Sequence, residues 1–422
     1  MISKKKIRTS FKSNKKVAEN YFFMTLIRFL NSFFTFLIYP YLIRVLGVNN
    51  FGLYIFALSI ASYVSVFVGF GFNNPNVREV VLYKDDKDKL SDVLSSVLTA
   101  QFYFFVVSML ILILIVFLVP FLRKDYCLFL VCAVSAISTF LFPIWFFQGM
   151  EQMRIVTYIQ LFTRLLSLPL IFLFVKSVDD YTVLAVINSG SVILGALIAL
   201  FLILFRYKIP IKRKPVLDIV PYIKDAFPFF WGDSASVIKM QSTSFFTGTF
   251  ISMSSVALYD LANKFVMFLS MLLANINNAL FPKMVKKKSK NAVKKALLSQ
   301  LILGLLCVVF LAVLGQFLIS LLGGKDMLGA YPILLILSIV IPCWLLVGAI
   351  QLFIIIPLKR YKYITVSQIL AFVIYMFLTI IGAVIYKNIY WIAAAMSLSA
   401  IVELVYNSIV VKNLDMLSKL ED

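Results

Sequence analysis

The chain is a succession of apolar windows, each long enough to cross a bilayer and each closed by charge or by Pro, Gly and Asn. About 20 apolar residues in a helix span the hydrocarbon layer, where only helices and closed barrels satisfy their own backbone hydrogen bonds. The windows fall at 18–46, 51–75, 91–121, 127–147, 155–175 and 181–205 in the first half, and at 225–250, 255–281, 292–322, 328–356, 363–386 and 390–411 in the second. They predict an all-α polytopic membrane protein with twelve transmembrane helices. The polar pieces between them leave no room for a soluble catalytic domain.

The formal charge of +21 lies mostly between these windows. With an inside N-terminus, the segments assigned to the cytoplasm carry 30 of the 40 cations and the opposite loops only 6. That bias orients a membrane protein with both termini cytoplasmic, and it accounts for the basic composition without nucleic acid as a partner. The basic stretch Lys4 to Lys16 is followed by an apolar run too long for a signal-peptide core, so it precedes a first span. Histidine is absent, and Cys127, Cys132, Cys307 and Cys343 sit in apolar runs without metal-ligand spacing. No metal and no cofactor is expected, and the cysteines read as buried, unpaired thiols.

The chain repeats itself. FGLYIFA at Phe51 to Ala57 returns as VALYDLA at Val256 to Ala262, 205 residues on. Gly149, Arg154, Thr157 and Gln160 return as Pro357, Lys362, Thr365 and Gln368, 208 residues on. Two homologous six-helix lobes are expected to enter the membrane in the same sense and to enclose a central cavity. The boundaries are a basic cytoplasmic tail at 1–16, a first lobe at 17–206, a cytoplasmic linker at 207–221, a second lobe at 222–412 and a tail at 413–422, with the linker lysines read as topogenic.

Charges inside spans are costly, about 2.5–3.5 kcal/mol for a cation at the helix centre, so each needs a partner or water. Arg28, Arg164, Lys239 and Lys264 are such cations. Thr157, Gln160, Arg164 and Ser167 share a helical face, as do Thr25, Arg28, Asn31, Ser32 and Thr35, and again Ser236, Lys239, Thr243 and Thr247. These stripes are expected to line a cationic lumen, with Asn31 and Gln160 as polar lining. Asp260 precedes Lys264 by four residues, so that pair can neutralise itself; Asp233 and Asp260 are read as balancing charges or as coupling groups. Asn275, Asn277 and Asn278 read as interhelical hydrogen-bonding groups, and Glu403 in the last span has no assigned role.

A cavity of one sign attracts the opposite sign, so an anionic substrate is expected, and a phosphate or diphosphate headgroup fits. A lipid carrier could leave its tail in hydrocarbon while the head crosses the lumen. PYLIRVLGVNNFGLYIFALSIASY, Pro40 to Tyr63, resembles the signature joining the first two helices of the Wzx-type O-antigen and capsule repeat-unit flippases. QGMEQMR at Gln148 to Arg154 and ALYDLANKF at Ala257 to Phe265 resemble further landmarks of that family, and length and span number agree.

The resemblance implies a multidrug/oligosaccharidyl-lipid/polysaccharide exporter fold, alternating access in a bacterial cytoplasmic membrane, and an oligosaccharide on undecaprenyl diphosphate as substrate. It also implies a polymerase and a chain-length regulator as partners. It carries over only by residue type to Arg28, Arg164, Lys239 and Lys264. The related lipid II flippases carry two extra helices that this chain lacks. The alternatives are a drug exporter of the same superfamily, which for cationic drugs would favour carboxylates in its cavity, and a membrane glycan polymerase or ligase, which would show a large outer loop.

Overall fold

The computed structural model describes residues 2–287 and 289–416, with the side chains of residue 19 and of 22–416 apart from 28, 283 and 286–288. The apolar windows are helices throughout. Among the described residues, ten helices are long and apolar enough to cross a membrane: Phe22–Gly69, Lys87–Leu118, Tyr126–Gly149, Met153–Phe174, Tyr181–Arg206, Met253–Pro282, Lys290–Gly323, Ala330–Ile355, Lys362–Ile385 and Ile389–Asn413. By length and apolarity the count is thus ten, against the twelve windows of the sequence.

Two physical reasons account for the difference. The first helix covers two windows in 48 residues, yet at Gly47 the backbone turns to φ 73° and ψ 163°, a conformation open to glycine and strained for other residues. The helix Val216–Phe250 spans the seventh window, but five charged residues and two internal prolines, Pro221 and Pro228, keep it out of the apolar set. The window at 127–147 is also segmented, into Tyr126–Val134, Ile137–Leu141 and Ile144–Gly149, with Pro143 before the last piece.

The helices turn apolar side chains outward. On Lys290–Gly323 the exposed residues include Leu298, Leu305, Leu306, Val309, Val313 and Phe317, a stripe that water would not tolerate and lipid requires. Cys132 and Cys343 are buried, but Cys127 is exposed and Cys307 partly so, because those two ride on outward faces; all four are free thiols. The chain is a multi-pass membrane protein.

Two compact units divide it, Met1–Tyr41 with Ala57–Gln241 and Leu42–Phe56 with Ser242–Asp422. In the first, the Phe70 ring stacks on Phe104 and on Phe230, each at 4.5 Å between centroids. Residues of the linker are strapped to the helix Lys87–Leu118: Ser91 donates to the Pro210 carbonyl, Ser95 accepts from the Lys212 N–H at 2.9 Å, and Lys214 Nζ meets Asp92 Oδ1 at 2.6 Å. That hydrogen bond to Asp92 holds the Lys214 ammonium above the ordinary lysine range. The Lys214 side chain therefore also ties the linker to this helix, whereas Lys212 contributes only its backbone N–H. In the second unit, Asn277 Nδ2 donates to the Leu345 carbonyl at 2.9 Å, an interhelical bond of the kind that joins helices in lipid.

Local geometry recurs along the chain at or close to the spacing of the sequence repeat, one pair 203 residues apart and another 208. Asp86 and Ser289 cap the helices Lys87–Leu118 and Lys290–Gly323, each side chain accepting from the N–H three residues on. Glu151 and Lys359, 208 residues apart, both adopt a left-handed conformation, at φ 57° and 56°. Around each runs the same pair of hydrogen bonds, Glu151 N–H to Gln148 O with Gln152 N–H to Phe147 O, and Lys359 N–H to Ile356 O with Arg360 N–H to Ile355 O. These are helix ends of the Schellman type.

Close approach of backbones rests on small residues. A Cβ on Gly52 would lie 1.8 Å from the Met253 carbonyl oxygen, whereas one on Gly190 would meet nothing within 4 Å. Gly52→Ala is therefore expected to lower the melting temperature in detergent, with a loss of about 1–3 kcal/mol or more from overpacking, while Gly190→Ala leaves it unchanged or raises it. Thermal unfolding of the two variants side by side checks this, and equal melting would deny the contact.

Candidate functional site

The helix Met153–Phe174 begins one residue after the left-handed turn at Glu151 and Gln152. Its 3.6-residue period puts Thr157, Gln160, Arg164 and Ser167 along one face. They do not share one environment. Thr157 and Ser167 are buried at 2% and 3% exposure and satisfy themselves on their own helix, donating to the Met153 carbonyl at 3.0 Å and the Arg164 carbonyl at 2.9 Å. Gln160 is half-buried and Arg164 is exposed.

Thr157 also reaches the Phe23 carbonyl of the first helix at 3.5 Å, so the two helices run side by side. Between them lies a narrow crevice lined by Ile27, Leu30, Asn31, Phe34, Gln160 and Arg164. Three of the predicted residues, Asn31, Gln160 and Arg164, thus meet at one place, with aliphatic and aromatic walls. Among the described residues no carboxylate lies within ion-pair distance of Arg164. The side chain of Arg28 lies outside the described residues.

Asp233 and Lys239, on the helix Val216–Phe250, are half-buried. The stripe expected along this helix changes character as it proceeds. Ser236 is exposed and donates to the Gly232 carbonyl at 3.0 Å, but Thr243 and Thr247 are buried. Thr243 meets the hydroxyl of Tyr375, to which Ser242 donates at 3.1 Å. Its later part is therefore core rather than lining, because a fully buried tyrosine hydroxyl needs partners and the two small hydroxyls supply them.

In the second unit, Lys264 Nζ and Asp260 Oδ1 lie 3.7 Å apart, with Asp260 the more buried at 13% side-chain exposure. This pair carries no net charge. Glu403 is buried in the last helix, where its carbonyl accepts from Asn407 Nδ2 at 2.8 Å.

A larger cavity of about 460 Å³ lies in the first unit, lined by Glu19, Glu151, Gln152, Arg154, Tyr158 and Arg206. Arg154 Nη1 approaches Glu19 Oε1 at 3.7 Å, and Gln152 Oε1 accepts from the Tyr207 hydroxyl at 2.7 Å. The sequence offered one signal for it, the QGMEQMR stretch; Glu19 and Arg206 are too far apart along the chain for spacing to join them.

Residues 17–288 match the family of polysaccharide biosynthesis proteins. A protein of Escherichia coli strain K12 named "Putative O-antigen transporter" is 26% identical over 279 residues, covering 66% of this chain and 67% of that one. A Shigella dysenteriae protein of the same name is 22% identical over 348 residues, 78% of this chain and 86% of its own. Among solved structures, the lipid II flippase MurJ in an inward closed conformation superposes with a TM-score of 0.73 at 18% identity, over 95% of this chain and 90% of that one. An inward-facing multidrug resistance MATE family transporter of the MOP superfamily gives 0.64 at 15% identity, over 94% and 100%. At these identities the structural likeness speaks for the fold alone, and the family match speaks for the lineage: this chain belongs to the polysaccharide biosynthesis protein family.

Proposed function

We propose that this chain is a flippase that carries undecaprenyl-diphosphate-linked oligosaccharide repeat units from the cytoplasmic to the outer leaflet, for O-antigen, capsule or a related surface polysaccharide. The observation that carries the reading is Arg164, an exposed guanidinium in the middle of an apolar span with no carboxylate beside it among the described residues, in a member of a polysaccharide biosynthesis family. The name the two relatives share, "Putative O-antigen transporter", supports the substrate class. A phosphate-bearing headgroup is the partner such a cation lacks.

The architecture that goes with this function is twelve helices in two six-helix lobes, 17–206 and 222–412, around a cationic cavity, joined by the linker 207–221. The break at Gly47 and the 35-residue helix Val216–Phe250 support the two helices beyond the ten apolar ones, and the recurring caps and left-handed turns support the lobes' common origin. The 30 to 6 bias of cations supports cytoplasmic termini and an inner-membrane location. Arg28, Arg164, Lys239 and Lys264 would bind substrate, with Asn31, Gln160, Asp233 and Asp260 as lining and balancing groups. An inside-negative potential favours outward movement of anions by about 2.3 kcal/mol per charge per 100 mV, so export can proceed electrophoretically. A polymerase and a chain-length regulator would consume the product on the outer face.

A polymerase or ligase would act on the same lipid-linked sugar, and a single gene deletion separates the readings. Loss of the flippase is expected to accumulate lipid-diphosphate-linked repeat units on the cytoplasmic leaflet, read with an impermeant probe. Single units that reach the outer leaflet unpolymerised would indicate a polymerase, and unchanged lipid-linked sugar would indicate drug export.

Arg164→Ala and Lys239→Ala are each expected to lower export roughly 10- to 100-fold, the scale of a lost hydrogen bond to a charged group, without loss of membrane insertion. Arg164→Lys should restore part of it, since it keeps the charge and loses the fork. Full activity in both alanine variants would remove Arg164 and Lys239 from the substrate path.

A further inference from the structure

The 460 Å³ cavity of the first unit stands apart from the Arg164 crevice and carries a different chemistry. Two guanidiniums, Arg154 and Arg206, face two carboxylates, Glu19 and Glu151, with the Gln152 amide and the Tyr158 ring completing the wall. Tyr158 is 56% exposed, and the Arg154 guanidinium lies 6.0 Å from its ring centroid. The Arg154–Glu19 contact joins side chains that are 59% and 43% exposed, so water or a ligand hydroxyl competes for both partners at little cost.

The internal repeat supplies a control. The same turn in the second half, with the same left-handed backbone and the same pair of backbone hydrogen bonds, carries Lys359, Arg360, Lys362 and Val366 where the first half has Glu151, Gln152, Arg154 and Tyr158. Cations there serve topology. Two acceptors and an aromatic ring do not, and the shared backbone does not demand them. With two carboxylates set against two guanidiniums, the wall has no excess of positive charge to select a phosphate. A hydroxyl both donates and accepts, so a ligand rich in hydroxyls is matched by a wall that alternates guanidinium donors with carboxylate and amide acceptors, and its apolar face is matched by an aromatic ring. The volume is in the range of small-ligand sites.

We infer that this cavity is a carbohydrate-binding site that holds a sugar of the repeat unit at the cytoplasmic face before translocation. The source of the sugar rests on the flippase reading. Arg206 ends its span, Glu19 lies at the start of the first, three residues before the apolar stretch Phe22–Gly69, and the Met150–Arg154 turn joins two spans, so the wall sits at the end of the unit where the charge bias places the cytoplasm. The sugar is then recognised here, apart from the Arg164 side chain that the flippase reading gives to the diphosphate.

The test uses the full chain in lipid nanodiscs and ligand-observed saturation-transfer NMR. The probes are methyl glycosides of glucose, galactose, N-acetylglucosamine, rhamnose and glucuronic acid, with inorganic pyrophosphate as competitor. At least one glycoside should bind and survive excess pyrophosphate. Binding should fall about ten-fold in Glu151→Lys, the scale of one charged hydrogen bond, and several-fold in Tyr158→Val, the scale of a lost aromatic contact; both install the second-half residues on a backbone that already accepts them, and binding should persist in Arg164→Ala. In cells the two variants should need more lipid-linked substrate for the same export and reach the same maximum. The inference is overturned if no glycoside binds, if binding survives both variants, if pyrophosphate displaces it, or if the variants bind no sugar yet export normally at every substrate supply. The deletion strain reads the flippase assignment separately: inner-leaflet accumulation without glycoside binding sinks only the sugar site, and glycoside binding without accumulation sinks only the flippase.

Discussion

Hydrocarbon offers no hydrogen-bond partner, and nearly every polar feature of this chain answers to that fact. Many hydroxyls of its spans turn back on their own helices, among them Thr35 to the Asn31 carbonyl, Thr157 to Met153, Ser191 to Ile187 and Ser299 to Ala296. A serine or threonine three or four residues past a carbonyl is self-sufficient. An arginine is not, because its five N–H groups exceed what one turn of helix can absorb and its charge cannot be discharged. A polar stripe is therefore a weak sign of water, and a mid-span guanidinium is a strong one.

This distinction explains which parts of the site were legible. The stripe on Met153–Phe174 was read as one wet face, and it divides into Arg164, exposed, and Thr157 and Ser167, buried. The meeting of Asn31, Gln160 and Arg164 followed from two helical periodicities, since helices that share one stripe each tend to turn the stripes together. Tyr375 escaped notice because one tyrosine in an apolar window leaves no periodic trace, although its hydroxyl decides that Ser242 and Thr243 face the core. The strapping of the linker to Ser91, Asp92 and Ser95 was equally hidden, for contacts more than a hundred residues apart leave no signature in spacing.

The helices themselves were legible almost completely, because length and apolarity are the physical requirements and both are local. Where the sequence and the apolar count diverge, the reason is again local. Gly47, with Arg44 before it and Asn49 and Asn50 after it, breaks the long helix where the sequence windows part, although the helix assignment runs through it, and the charges of Val216–Phe250 weaken the apolar signal on a helix that the repeat nevertheless calls for. A helix that gives up apolarity in a membrane protein needs something polar to face, and half-buried Asp233 and Lys239 are the groups that need it.

The repeat separates what the fold requires from what has been added to it. Thr157 and Gln160 have the counterparts Thr365 and Gln368, so those types belong to the shared frame, but the position equivalent to Arg164 is Phe372. By the earlier offset of 205, Lys239 answers to Phe34, and Asp260 and Lys264 to Ile55 and Ser59. An apolar or neutral residue is thus compatible with the same helix at each position. Asp260 and Lys264 cancel one another at 3.7 Å, which leaves Arg164 and Lys239 as the departures that add positive charge against a cost of about 2.5–3.5 kcal/mol each at a helix centre. In the proposed function Arg164, exposed in the middle of its span, meets that cost with an anionic ligand.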